Sequence, residues 1–348
     1  MPARLRGHRA AAPVNRSKLR ARHLLSAIAL LLAAVLLSIV VGSVDLGWQR
    51  VLGEITAQLT GGTAPLSERE AAILWELRVP RVVLGVLVGA ALAVSGAAFQ
   101  GVFRNPLADP YLLGSAAGAG LAVTVLIVLF PQGPVVPVQV AAFAGALGGV
   151  GLTWVVGRSA GRDTTTLVLA GVAVGAFLTA GQTFAQQLRL DSLDQVYLWI
   201  LGRLSTTGWH EVLVVLPYLA VAAAVLLVCA RLLDLLGTGD EEATALGVHP
   251  GRVRALVLVA ASLATAAAVS VAGLIGFVGL VVPHLVRLAA GGSFRIIVPL
   301  SLLFGGVFLV LADMLARSLL SPAEIPIGVI TAFTGAPFFA VLLHRRAS

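Results

Sequence analysis

Charge is scarce in this chain. Only 11% of its 348 residues are charged while 58% are hydrophobic, whereas a soluble globular domain carries roughly a quarter charged residues. That imbalance excludes a water-soluble domain and points to a protein embedded in lipid. Cysteine is almost missing: Cys229 stands alone inside an apolar run, so one chain can build neither a disulfide framework nor a thiolate metal site. Lysine is rarer than the net charge of +8 suggests, because Lys18, preceded by Arg16 and Ser17, is the sole one. A phosphate-cradling loop ends in Gly-Lys-Ser/Thr, so this chain does not bind ATP in that manner, and any nucleotide energy must come from another subunit. The 6 histidines, His8, His23, His210, His249, His284 and His344, show no metal-ligand spacing. No nucleophile stands beside a base in the pattern of an enzyme. Neither metal nor cofactor is expected. The cations do not form a patch interleaved with aromatics, which speaks against a nucleic-acid partner.

What is present is long apolar stretches. A bilayer core of about 30 Å is crossed by roughly 20 apolar residues in a helix. Stretches without Asp, Glu, Lys or Arg run Leu24–Val44, Val82–Phe103, Pro110–Gly157, Thr164–Leu188, Val212–Ala230, Ala255–Val286, Ile296–Ala312 and Ile325–Leu343. Pro110–Gly157 divides at Pro131-Gln132-Gly133-Pro134, where proline and glycine favour a turn. Ala255–Val286 would be about 48 Å long as one helix, and Gly273 with Gly276 offers a break. The expectation is an all-α, polytopic membrane protein with ten transmembrane helices. With both termini in the cytoplasm, 17 Lys/Arg fall inside and 7 outside, as the positive-inside rule requires. Fusing Ala255–Val286 into one span would invert everything after it. Residues 1–22, Arg- and Ala-rich, read as a disordered basic cytoplasmic tail, and 23–346 as one permease domain. The first apolar run is too long for a secretory signal core and lacks an Ala-x-Ala site, so it reads as an uncleaved first helix.

Small residues four apart (Gly85 and Gly89, Gly114 and Gly118, Gly145 and Gly149, Gly171 and Gly175) lie on single helix faces and let backbones approach where no hydrophobic effect drives association. Ionisable groups are nearly absent from the spans. The exceptions are His284, and Asp313 with Arg317, which are spaced for an intrahelical ion pair. Ion-coupled carriers keep such groups in their spans for a task, and no relay is visible here.

Several motifs stand in fixed order: Leu77-Arg78-Val79-Pro80-Arg81, Gly89-Ala90-Ala91-Leu92-Ala93-Val94-Ser95-Gly96, Arg104-Asn105-Pro106-Leu107-Ala108-Asp109-Pro110, Leu169-Ala170-Gly171-Val172-Ala173, Gly273-Leu274-Ile275-Gly276-Phe277-Val278-Gly279, Ala312-Asp313-Met314-Leu315-Ala316-Arg317 and Glu324-Ile325-Pro326-Ile327-Gly328. Together they resemble the FecCD-type permeases of iron-siderophore, haem and cobalamin ABC importers. The resemblance implies the BtuC-like type II importer fold in a bacterial cytoplasmic (inner) membrane. It also implies a second permease copy or a paralogue, two cytoplasmic ABC ATPase subunits and an extracytoplasmic substrate-binding protein. It marks a coupling loop within 231–252, with Gly239, Asp240, Glu241, Glu242, Ala243, Leu246 and Gly247 fitting a groove on the ATPase. Asp240 is placed to cap the short helix there. By the same resemblance Arg78, Arg81 and Arg317 meet acidic residues of the binding protein, with interfacial snorkelling as the plainer role. Asn105, Leu107, Thr164 and Thr165 form a cytoplasmic gate, or else ordinary helix caps. The Arg104–Pro110 motif is closer to the siderophore and haem branch than to the cobalamin branch. The expected function is an iron-siderophore importer permease. Haem or cobalamin import, a stand-alone ion-coupled carrier and a membrane enzyme are the competing readings.

Overall fold

The structure is a computed structural model that describes residues 19–42, 44–133, 135–161, 164–204 and 208–347. Among these residues every regular element is helical. Ten apolar helices are α1 (Ala21–Val40), α4 (Val79–Val102), α5 (Ser115–Leu129), α6 (Val138–Ala160), α7 (Thr164–Gln187), α9 (His210–Leu236), α11 (Pro250–Ala272), α12 (Val278–Ala290), α13 (Phe294–Ser318) and α14 (Ile327–Ala347). Seven are long and apolar enough to cross a membrane, and α5, α12 and α14 supply the shorter apolar segments. The short helices α2 (Trp48–Thr60), α3 (Glu68–Ala72), α8 (Leu193–Ile200) and α10 (Asp240–Ala245) sit in the connections. Most of the tail, 1–18, lies outside the described residues, and α1 already begins at Ala21.

Burial sorts the helices into centre and rim. The apolar windows of α4 and α11 are 83% and 78% buried, against 22% for α1 and for α7. A helix that is apolar all round belongs in a protein interior, and α4 carries buried residues on every face from Leu84 to Val102. Glycine makes the centre dense. A Cβ on Gly89 of α4 would strike the carbonyl of Gly305 on α13, and one on Gly118 of α5 would strike that of Gly145 on α6. The small-residue spacing therefore marks real helix crossings. Gly171 meets the Leu112 carbonyl in the same way, whereas Gly175 faces open space.

Both expected breaks exist. Gly273 ends α11 at φ 71, a left-handed conformation that glycine adopts without a Cβ penalty. The freed backbone is bonded from outside the helix. The Tyr111 hydroxyl donates to the Ile275 carbonyl (3.0 Å) and accepts from the Ile275 amide (3.2 Å), and the Arg203 amide donates to the Ala272 carbonyl (2.9 Å). α3 runs without interruption through a π-helical turn, Ile73–Arg78, into α4. Pro80, at the start of α4, has no amide hydrogen to give the regular ladder, and the wider turn falls just before it.

Contacts group the connections at two ends of the bundle. At one, Asp234 near the end of α9 accepts from the Ser293 hydroxyl (2.7 Å) and the Phe294 amide (2.6 Å), capping α13 with a carboxylate where the helix dipole favours one. This end also carries α10 and the turn after α4, joined through Asp240. The opposite end carries α2, α3 and the 319–326 connection, where Arg81 joins α4 to Asp313 and Glu324.

Candidate functional site

At the α10 end, Gly239 enters the helix at φ 134 and Asp240 is its first residue. Asp240 does not cap it. Its carboxylate accepts a fork from Arg254 (Nη1 to Oδ2 2.8 Å, Nη2 to Oδ1 2.6 Å) and a further bond from Arg104 Nη2. Charge-assisted bidentate bonds are roughly twice as strong as neutral ones, so two guanidiniums outcompete the neutral amides of the first turn. The Arg254 bond, with Arg104 adding to it, holds the Asp240 carboxyl below the usual aspartate range. A lowered folded pKa stabilises above the unfolded value and is lost as pH falls through the folded one. The thermal-stability advantage of wild type over Asp240→Asn is therefore expected above about pH 4 and to vanish on further acidification. A melting series across acidic pH in both proteins reads this out.

The rest of α10 is held by one buried side chain, Ala243, in the core formed by α4, α9 and α11. Glu241, Glu242 and Gly247 face solvent, Gly247 at φ 81, and Leu246 is 62% exposed. A large apolar side chain thus projects from a short acidic helix whose base is anchored.

The turn after α4 contains the first half of the expected gate. Arg104 has φ 49, a left-handed conformation rare outside Gly and Asn. There it closes α4, with the Asn105 amide donating to the Gln100 carbonyl (3.2 Å). Asn105 Oδ1 accepts from the Leu107 amide (2.9 Å), and Leu107 is 41% exposed. Thr164 and Thr165 open α7, Thr165 exposed and Thr164 half-buried, directly after Arg162 and Asp163, which lie outside the described residues.

At the opposite end all three arginines have intramolecular partners. Arg78, 6% exposed, donates to the carbonyls of Ile39 (2.9 Å), Val40 (3.2 Å) and Val44 (2.7 Å). Arg317, 4% exposed, donates to the carbonyl (2.5 Å) and hydroxyl (2.6 Å) of Ser38. Both satisfy carbonyls that the end of α1 leaves without helical partners. Arg81 bridges Asp313 (2.8 Å) and Glu324 (2.8 Å), and Arg317 Nε lies 3.3 Å from Asp313 Oδ2, the expected i,i+4 pair. Sequence reasoning saw three outward cations but missed the carbonyls, since backbone acceptors have no signature in residue type.

A bundle of apolar helices long enough to cross a bilayer, with a short anchored helix exposed at one end, defines a polytopic membrane protein. The chain matches the sequence model of the FecCD transport family over residues 30–345 and belongs to that family. It is an ABC importer permease. It is 46% identical over 280 residues to the cobalamin import system permease protein BtuC of Halobacterium salinarum, covering 80% of this chain and 75% of that one. It is 39% identical to the Fe(3+)-citrate import system permease protein YfmD of Bacillus subtilis, covering 80% and 83% of the two chains. With the hemin transport system permease protein HmuU of Yersinia pestis it shares 40% identity over 78% and 84% of the chains. Among solved structures, an inward-facing metal-chelate type ABC transporter superimposes with a TM-score of 0.81 at 29% identity, covering 94% of this chain and 100% of that one.

Proposed function

We propose that this chain is the membrane-spanning subunit of a binding-protein-dependent importer that brings an iron-siderophore chelate into a bacterial cell. Two permease subunits, identical or paralogous, frame the path. Two ABC ATPases drive it from the cytoplasm, and an extracytoplasmic binding protein delivers the cargo. The observation that carries the reading is α10: a polar helix with a projecting Leu246, fixed to the bundle by Asp240 and Ala243. A motor gripping it moves the spans, and the chain has no phosphate-binding loop of its own. The excess of cations at this end supports a cytoplasmic placement for it. Asn105, Leu107, Thr164 and Thr165 then sit at the cytoplasmic mouth as its gate. The exposed face of α7, with Thr179 and Thr183 between Phe177 and Phe184, suits the wall of a path or a partner subunit better than pure hydrocarbon.

Of the docking arginines, Arg81 is the one positioned to answer a partner, because its bridge to Glu324, 45% exposed, opens to solvent. Arg78 and Arg317 serve docking by holding the ends of α1, α4 and α13 in place. The iron-chelate cargo is supported by the relatives named for Fe(3+)-citrate and by the metal-chelate structure. The 46% identity to a cobalamin permease favours cobalamin as the second reading.

Proteoliposomes holding this chain with its ATPase and binding protein test both. Uptake of a radiolabelled ferric siderophore that needs both ATP and binding protein is the expected result. Cobalamin uptake without chelate uptake transfers the assignment to the second reading. Solute movement on an ion gradient alone, without an ATPase, overturns the whole proposal.

A further inference from the structure

Three elements distant in sequence meet on one carboxylate. Asp240 begins α10, Arg254 lies in the first turns of α11, and Arg104 stands in the turn between α4 and the Asn105-Pro106-Leu107 segment. An exposed ion pair is usually worth little, and Arg104 and Asp240 are 40% and 48% exposed. The backbone gives this pair a different weight. Arg104 occupies the left-handed position that ends α4, where glycine costs nothing and a side chain costs roughly 1–2 kcal/mol. A residue that strains the backbone while its side chain reaches across to another helix is placed there for the reach. The other end of the connection is just as short. Asn105 follows directly, its side chain bonded to the Leu107 amide and its carbonyl to the Ala108 amide (3.1 Å), so the turn is a closed unit that moves with Arg104.

We infer that Asp240 is a positioning residue that ties the coupling helix to the gate turn through Arg104 and to α11 through Arg254, so that a displacement of α10 is delivered directly to Asn105–Ala108. The inference rests on the permease reading for its use, but not for its existence. The core contact of Ala243 alone would hand the displacement to the bundle as a whole. The carboxylate directs it to one turn.

Substitutions at these two residues separate this tie from ordinary structural support. Arg104→Gly relieves the backbone strain and removes the reach, so folding stability is expected to be equal to or above wild type. Asp240→Asn removes the charge, and Asp240→Glu restores it. The first readout is amide hydrogen exchange of the full chain in detergent, without ATPase. Exchange at the Leu107 and Ala108 amides is expected to rise about tenfold in Arg104→Gly and in Asp240→Asn, with no further rise in the double variant and partial reversal in Asp240→Glu. The second is uptake per ATP hydrolysed in the assembled transporter, expected to fall about tenfold in Arg104→Gly despite its undiminished stability. Unchanged exchange at Leu107 and Ala108, or effects of the two variants that simply add, overturns the tie. The exchange readout holds whether or not the wild-type complex transports, so failure of the importer reading shows separately, as absence of ATP-dependent uptake by wild type.

Discussion

Leu246→Glu is expected to lower uptake by at least about thirtyfold while leaving the melting temperature of the purified chain within experimental scatter. Leu246 is 62% exposed, and a substitution at such a site shifts stability by no more than about 0.5 kcal/mol. Its loss is therefore felt only by what packs on it. A projecting apolar anchor filling a partner's groove is the usual form of an interface hot spot, worth about 2 kcal/mol or more, which corresponds to roughly thirtyfold in an association constant. Glutamate adds a fourth negative charge to a helix that already opens with Asp240, Glu241 and Glu242, so a groove matched to leucine is also asked to desolvate a carboxylate. Gly247 gives an independent check. At φ 81 it tolerates a β-branched side chain poorly, so Gly247→Val alters the shape of the loop without touching Leu246. Pull-down of the ATPase by each variant, measured beside uptake, locates the effect. Full uptake and normal assembly in Leu246→Glu would show that the motor grips elsewhere.

The spans were legible because charge marks their limits so plainly in this chain. The charge-free stretches located all ten apolar helices, and Gly273 and the Pro131–Pro134 turn divided the two long ones where the structure does. The same criterion misjudged helix ends wherever a charge is tolerated inside a helix. α9 extends from His210 to Leu236 and includes Glu211, Arg231 and Asp234: Arg231 is exposed and Asp234 caps α13, whereas Glu211 is buried. α2, α3 and α8 were not foreseen. They lie in connections with no long apolar run, and the exposed Trp48, Leu52 and Leu59 of α2 are too few for a span. Pro110 opens a short 3-10 turn rather than α5 itself, a distinction that hydropathy does not register. The motifs singled out the residues of α10 and of the turn after α4, whereas the bonds between them carry no signal in residue type. Arg104 and Asp240 are far apart in sequence, and only the fold brings them together.

Asp313→Ala is expected to cost about 3–5 kcal/mol, the usual penalty for removing one partner of a buried charge network. Asp313 is 2% exposed and accepts from Arg81 Nε (3.1 Å) and Nη2 (2.8 Å) with Arg317 alongside. The alanine variant leaves Arg317 buried with only the Ser38 oxygens and Arg81 with only Glu324. Arg317 and Arg78 both hold the end of α1, so the damage spreads to the seam of α1, α4 and α13, and low accumulation with a sharply reduced melting temperature in detergent is the expected readout. Asp313→Asn keeps the acceptor oxygen and loses the charge, and is expected to fall between alanine and wild type. Glu324→Gln behaves differently. That carboxylate is 45% exposed and its removal costs little stability, but it frees the outer side of Arg81. If Arg81 engages an acidic surface on a delivering protein, Glu324→Gln raises affinity at low salt and steepens its decline as salt is added. Equal affinity and salt dependence in wild type and Glu324→Gln would confine Arg81 to holding α4 against α13.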